Sequence, residues 1–386
     1  MISSIEDNQS HNLMIIAGEI SGDLIGASLI KELKKLDPKI ETYGIGGNKM
    51  QIEGMNILYH INQMAFLGFS EIVRHLPFIK KVQSELLTIV KKKKINNVVL
   101  IDYPGFNLNI AKKIKKSGIK IIYYVSPQLW AWGSGRIKKI KNRIDKMLVV
   151  FPFEQKLYNE NNINVELVGH PLVERINNYK FLNRKELFQK LQLDESKDIL
   201  LLMPGSRRQE VEKIYPQIVN AARKLGEEFN LQIVTAGSVN IDIELFNRLS
   251  GTSDIKVVTG YTYDLIKHAK FGIIKSGTST LEAAYFALPM IIVYKTSMLT
   301  YLIGKQLIKV NKIGMPNILL DDDVVPELIQ SDVSEEKIYK AGRQILSDQN
   351  RYSLIKLKLS EVKNKLGNAD ASARAAKHIY ELMNEA

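Results

Sequence analysis

Short runs of aliphatic and β-branched residues, too brief for core helices, recur at 13–17, 98–101, 120–125, 147–151 and 165–168. Helical patterns lie between them, among them 23–36, where Leu24, Ala27, Ile30 and Leu33 share one face, and 79–90. The rhythm breaks at Gly169-His170-Pro171 and a polar stretch, then resumes at 199–203, 231–235, 256–258, 272–274 and 290–294. From Glu335 onward only helical periodicity remains. Strand and helix alternating twice over predict an α/β fold: two domains, each a parallel sheet covered by helices, with a cleft between them.

The chain is accordingly divided into a polar N-terminal extension (1–12), a first domain (13–170), a linker (171–195), a second domain (196–360) and a C-terminal helix (361–386). A length of 386 residues agrees with two domains. Apolar residues at 45% and charged residues at 25% are globular proportions. The absence of cysteine excludes a disulfide scaffold, a thiolate nucleophile and sulfur-based zinc sites, and points to a reducing compartment. Residues 1–12 lack the pattern of a secretory signal. The longest mostly apolar stretch, 283–294, is 12 residues with Pro289 inside, well short of a bilayer span, so a soluble cytoplasmic protein is expected.

The net charge of +13 is concentrated. Residues 80–146 carry 17 Lys and Arg against three acids, leaving the rest of the chain close to neutral. Solvated helix faces explain such a block, and so does a surface that meets an anionic partner. Upstream, 64–79 is rich in Phe, Leu and Ile and adjoins Lys80 and Lys81. An apolar segment beside cations fits an anionic membrane better than RNA, although a buried helix gives the same pattern. No RNA-binding motif is present, so no nucleic-acid partner is expected.

In parallel α/β sheets, ligands bind beyond the carboxyl ends of the strands. After the first strand, AGEISGDLIGA brings Gly18, Glu19, Ser21 and Asp23 to a strand-to-helix turn, which is either a plain capped turn or a site for an anion or sugar hydroxyl. GIGGNKM begins like a dinucleotide fingerprint, but Lys49 stands where the third glycine belongs. Asp102 follows its strand directly, where a carboxylate serves as a general base or caps the next helix. Gly205, Ser206 and Arg207 in MPGSRRQE form a loop suited to phosphate oxygens. Ser276, Gly277 and Thr278 open a second such helix, with Glu282 one turn inside and in reach of a diol. Two anion-ready loops in one domain point to a nucleotide diphosphate. His170 faces the supposed cleft but also shapes the interdomain turn. The six histidines include no pair at metal spacing, so no metal is expected.

Together these segments resemble the lipid-A-disaccharide synthase family of bacterial glycosyltransferases, from about Leu13 to the end of the chain. The carriers are AGEISGDLIGA, GIGGNKMQIEGM, LGFSEIVRHLP, IDYPGFN, YYVSPQLWAWGSGRIKKI, VFPFE, VGHPLVE, MPGSRRQEV, SGTSTLEAA and MPNILLDDDVVPELIQ, with SPQLWAW the most specific. The resemblance implies a GT-B architecture of two Rossmann-like domains, with the C-terminal helix crossing back onto the first. It implies inverting transfer of 2,3-diacylglucosamine from UDP-2,3-diacylglucosamine to the 6-hydroxyl of 2,3-diacylglucosamine 1-phosphate, giving a β-1,6 disaccharide and UDP without cofactor or metal. Asp102, Arg207 and Asn317 match catalytic positions, and Ser126 and Trp130 lie in the SPQLWAW region expected to bind substrate. Gly105 departs from the family, many members having an aspartate there. Acylated substrates imply peripheral docking on the cytoplasmic face of the inner membrane. Exchange of C-terminal helices into a homodimer is one arrangement that the helical end allows. The rival expectations are a UDP-sugar epimerase and another UDP-sugar transferase of GT-B fold acting on a lipid-linked acceptor.

Overall fold

A computed structural model describes residues 12–64, 75–127, 135–252, 255–296 and 312–385. It divides into two compact units, Met1–Arg175 with Asn368–Ala386, and Ile176–Gly367. In the first unit, β1 (Asn12–Ala17), β2 (Glu41–Gly46), β3 (Asn56–His60), β4 (Asn97–Ile101), β5 (Lys120–Tyr124), β6 (Lys146–Val149) and β7 (Val165–Leu167) form one sheet. Every pair is parallel, in the order β3-β2-β1-β4-β5-β6-β7. β1 and β4 are buried almost throughout, which is why they read as unbroken apolar runs. Ala17 pairs with Ile101, so these two central strands end level with each other.

The second unit repeats the plan with β8 (Asp198–Met203), β9 (Leu231–Ala236), β10 (Lys256–Val258), β11 (Ala269–Lys275), β12 (Met290–Tyr294) and β13 (Glu327–Ile329). Its parallel order is β10-β9-β8-β11-β12-β13. In each sheet the chain first builds outward to one side, then returns to the centre and builds to the other. The reversal falls between β1 and β4 in one sheet and between β8 and β11 in the other, the arrangement of a doubly wound Rossmann fold.

Residues 171–195, expected as a linker, divide between the units. The Pro171–Asn177 helix spans the division, and beyond it the buried carboxylate of Asp264 holds the Tyr179 hydroxyl and the Leu182 N–H. The helical end divides as well. The Gln349–Lys365 helix packs on the Thr278–Tyr285 and Met315–Leu320 helices of the second unit. The Ala371–Asn384 helix packs instead on the Ile20–Leu36 helix of the first. Two polar contacts pin this return: the Ser372 N–H donates to Glu174 at 3.2 Å, and Lys120 Nζ donates to the Glu385 carbonyl at 2.9 Å. No described helix is long and apolar enough to cross a membrane.

The glycine-rich GIGGNKM segment is held by Asp23, which lies buried in the Ile20–Leu36 helix. Its carboxylate accepts the N–H groups of Gly47 (2.7 Å), Lys49 (3.1 Å) and Met50 (3.0 Å), capping the Asn48–Ile52 helix from another part of the chain. Asp23→Ala leaves buried donors unpaired, so we expect a loss of about 2–3 kcal/mol. The measurement is the urea midpoint of the first unit's unfolding; a wild-type midpoint would show that the cap contributes nothing.

Candidate active site

At the carboxyl edge of the first sheet, β1 and β4 part and leave two loops side by side. Asp102 and Tyr103, directly after β4, both adopt left-handed backbone, with φ of 45° and 48°. Val125, directly after β5, does the same at φ 65°, a conformation costly for a β-branched residue. The backbone of Asp102 is clamped on both sides. Its N–H donates to the Tyr124 carbonyl at 3.1 Å, and its carbonyl accepts from the Tyr123 hydroxyl at 2.5 Å and from Asn107 Nδ2 at 2.7 Å. Across the gap, Gly18 follows β1 directly and lies under the Tyr103 ring; a Cβ there would fall 2.3 Å from ring carbons. The Tyr103 hydroxyl donates to the Met64 carbonyl at 3.0 Å.

This setting controls protonation. Desolvation raises the Asp102 carboxyl to about 6, and the carboxylate of Glu19 at the end of β1 adds to the shift. Glu154, buried behind the same edge, is pushed up to about 8 by burial, although the Val150 and Phe151 N–H groups each donate to it at 3.2 Å. His170 moves the other way. Desolvation, followed by the charge of Arg175, lowers it to about 3, and its Nδ1 accepts the Leu172 N–H at 3.1 Å. The ring is therefore neutral with its proton on Nε2, and it lies 5.2 Å from the Phe151 ring.

The second unit places its loops at the corresponding gap. Gly205, after β8, has φ 117°, and a Cβ there would meet Glu210 at 2.6 Å. Glu210 in turn joins both sides of the gap: its Oε1 lies 3.8 Å from Arg207 on the β8 loop and 2.8 Å from Lys275 at the end of β11. Beyond Lys275, Gly277 starts the Thr278–Tyr285 helix with no side-chain cap, and Glu282 receives the Tyr263 hydroxyl at 3.4 Å. Exposed Ser206, Arg207, Gly277 and Thr278 thus surround an edge rich in N–H donors and positive charge.

Several residues expected to meet substrate use their polar groups within the scaffold. Asp23 caps a helix, as described above. Ser126 is buried, with its hydroxyl donating to the Pro127 carbonyl at 2.9 Å and sharing a 2.8 Å bond with Tyr158. Ser276 Oγ donates to the Ile313 carbonyl at 2.9 Å. Asn317 is buried too; its Nδ2 donates to the Val325 carbonyl and to Glu327, both at 2.8 Å, while its Oδ1 accepts the Val325 N–H at 3.1 Å. Glu327 then accepts the N–H groups of Ile313 and Gly314, so Asn317 acts on the Ser276 loop from behind. Ser21, half-buried, stays beside the β1 turn. Trp130 lies outside the described residues, as do positions 65–74 of the apolar segment.

Sequence reasoning missed Tyr103, Tyr123, Glu154, Glu210, Lys275 and Glu327. Only the VFPFE and KSGTST segments held a visible signal, a carboxylate three residues after a strand and a lysine closing one. Among the described residues, no group of three His, Asp or Glu side chains is placed to hold a metal ion.

Comparison with known proteins gives consistent results at two levels. A family model described as lipid-A-disaccharide synthetase matches residues 13–380. A lipid-A-disaccharide synthase of Geobacter sulfurreducens is 38% identical over 383 residues, covering 98% of this chain and 99% of that protein. Among solved structures, UDP-GlcNAc 2-epimerase from Neisseria meningitidis bound to UDP-GlcNAc aligns with a TM-score of 0.67 at 12% identity, covering 96% and 100% of the two chains. The glycotransferase of kitacinnamycin aligns at 0.66, also at 12% identity, covering 96% and 99%. The structural likenesses show the shared GT-B fold.

The buried Glu154 yields a test of this edge. Its folded pKa is raised from 4.5 to about 8, so the folded state holds the proton more tightly. The stability it contributes is complete below the unfolded value and lost as pH rises through about 8. Between about pH 5 and pH 8 the wild-type Tm should fall more steeply than that of Glu154→Gln, and the two profiles should run parallel above that. Tm profiles parallel within that window as well would show that the carboxyl ionises without cost.

Proposed function

The chain belongs to the lipid-A-disaccharide synthetase family, and from that premise we propose its reaction and the work of each residue. It is a glycosyltransferase of lipid A biosynthesis. It transfers 2,3-diacylglucosamine from UDP-2,3-diacylglucosamine to the 6-hydroxyl of 2,3-diacylglucosamine 1-phosphate, with inversion, releasing UDP. The observation that carries this reading is the likeness to the synthases along nearly the whole chain.

Asp102 is the general base. Its raised pKa keeps it largely ionised near neutral pH yet basic enough to take the proton as the acceptor oxygen attacks C1 of the donor sugar. Glu19 sustains that basicity. Gly18 lets the Tyr103 ring close on β1 and so fixes where the Asp102 backbone turns. UDP occupies the carboxyl edge of the second sheet. There Arg207, Lys275 and the opening N–H groups of the Thr278–Tyr285 helix offset the charge that grows on the diphosphate, and Glu282 takes the ribose. Asn317 is a positioning residue that holds the Ser276 loop through Glu327.

The basic block gives a peripheral membrane contact. Lys91 and Lys92, Lys112 and Lys113, and Lys138, Lys139 and Lys141 end three helices, where they also offset helix dipoles. Their number exceeds that need, and an acylated acceptor has to be drawn from an anionic inner-membrane surface.

Two measurements test these assignments. Asp102→Ala, assayed for UDP release and disaccharide formation in detergent, should lose ~10²–10⁴-fold in rate. The wild-type kcat/KM should fall about tenfold per pH unit below about 6, where Asp102 protonates. An active alanine variant, or a flat acid limb, would remove Asp102 from the mechanism. Separately, replacing Lys113, Lys116, Lys138 and Lys141 by Gln should weaken sedimentation with anionic liposomes severalfold, and undiminished binding would exclude the membrane role.

A further inference from the structure

The Pro104–Ile114 helix, the Gly135–Lys141 helix and the turn after it border a cavity of about 380 Å3, lined by Pro104, Gly105, Leu108, Asn109, Lys112, Arg136, Lys139 and Arg143. Four of these eight residues are cations and none is acidic. The first helix presents the face bearing Gly105, Leu108, Asn109 and Lys112. Across the groove stand Arg136, Lys139 and Arg143. Arg143 is locked in place by donating from Nη1 to the Leu108 carbonyl at 2.7 Å. Among the described residues, no carboxylate pairs with any of the four cations, whereas nearby Lys115 is paired with Asp145. A concave wall of unpaired cations fits a compact, multiply charged anion better than it fits a flat surface.

The groove opens at the active edge. Gly105 is three residues after Asp102, on the helix that Asp102 leads into. At ~1.5 Å per residue, the lining from Pro104 to Asn109 spans roughly 8 Å, on the order of one substituted hexose ring. The Arg136 charge reaches the Tyr123 hydroxyl, and that hydroxyl donates to the Asp102 carbonyl. An acceptor that puts its reacting hydroxyl at Asp102 therefore has its far substituent at this groove.

We propose that the groove between these helices binds the phosphate monoester of the acceptor sugar, with Arg136 and Lys139 as its principal contacts. This inference rests on the reaction proposed above. Phosphate at C1 of the acceptor and the phosphate of a membrane lipid share the same chemistry, and the test has to separate them.

Arg136 and Lys139 are both exposed, so replacing either spares the fold. Acceptor KM and kcat are measured in phospholipid-free detergent for wild type, Arg136→Ala and Lys139→Ala. Calorimetric binding of the acceptor and of its dephosphorylated form accompanies them. We expect at least a tenfold rise in KM and Kd for the phosphorylated acceptor in Arg136→Ala and Lys139→Ala. The dephosphorylated acceptor should bind all three proteins alike. Unaltered KM and Kd in the variants would overturn the proposal. Loss of anionic-vesicle binding with unaltered acceptor KM would also overturn it and assign the groove to a lipid headgroup. Absence of disaccharide from the wild type would refute the reaction instead, and the calorimetry would still report on the groove.

Discussion

A wholly parallel sheet that builds first to one side and then to the other must open at the strand ends where its direction changes. The connections leaving those two strands run over opposite faces, so neither covers the gap. Both sheets obey this constraint, and nearly every chemically interesting residue gathers at the two openings. In the first, a glycine at the end of β1 faces a carboxylate at the end of β4. In the second, a glycine-arginine loop faces a lysine and an uncapped helix start. One architecture thus provides a basic carboxylate in one unit and a cationic edge in the other.

What differs between the openings is how each is made rigid. The first relies on strained backbone. Three non-glycine residues with positive φ follow β4 and β5, and buried hydroxyl and amide donors from Tyr123 and Asn107 hold one of them. The second relies on half-buried carboxylates. Glu210 joins Arg207 to Lys275, and Glu327 gathers Asn317 with the amides of 313 and 314. For the proposed reaction, strain suits the aiming of one carboxylate and a charge network suits the binding of a diphosphate.

The central strands were legible because both their faces are buried, leaving little but Val, Ile and Leu in 98–101 and 199–203. β2, β3 and β13 were not, since β2 contains two glycines, β3 is only half-buried and β13 has three residues. Asp102 could be read from its position after an apolar strand. Asn317, Ser126 and Asp23 carried the right chemistry for substrate contact, yet each is used for internal hydrogen bonds. Nothing local distinguishes a polar side chain facing a ligand from one facing another loop, because the partner is set by the tertiary fold and lies 8 residues away for Asn317 and 32 for Ser126. The Asp23 amide partners, 24 to 27 residues on, show the problem plainly.

The Ala371–Asn384 helix completes the first unit only after the whole of 176–367 has been made. At ~5–20 residues per second, a nascent chain emerging from the ribosome waits roughly 10–40 s with the apolar side of Ile20–Leu36 uncovered. Leu29, Ile30 and Leu33 on that helix are fully buried once the fold is finished. During synthesis the second unit, continuous in sequence, is free to mature first, while the half that holds the proposed base is left for chaperones to shield. Chain order thus delays completion of the unit with the proposed base until the whole of the other unit has been made.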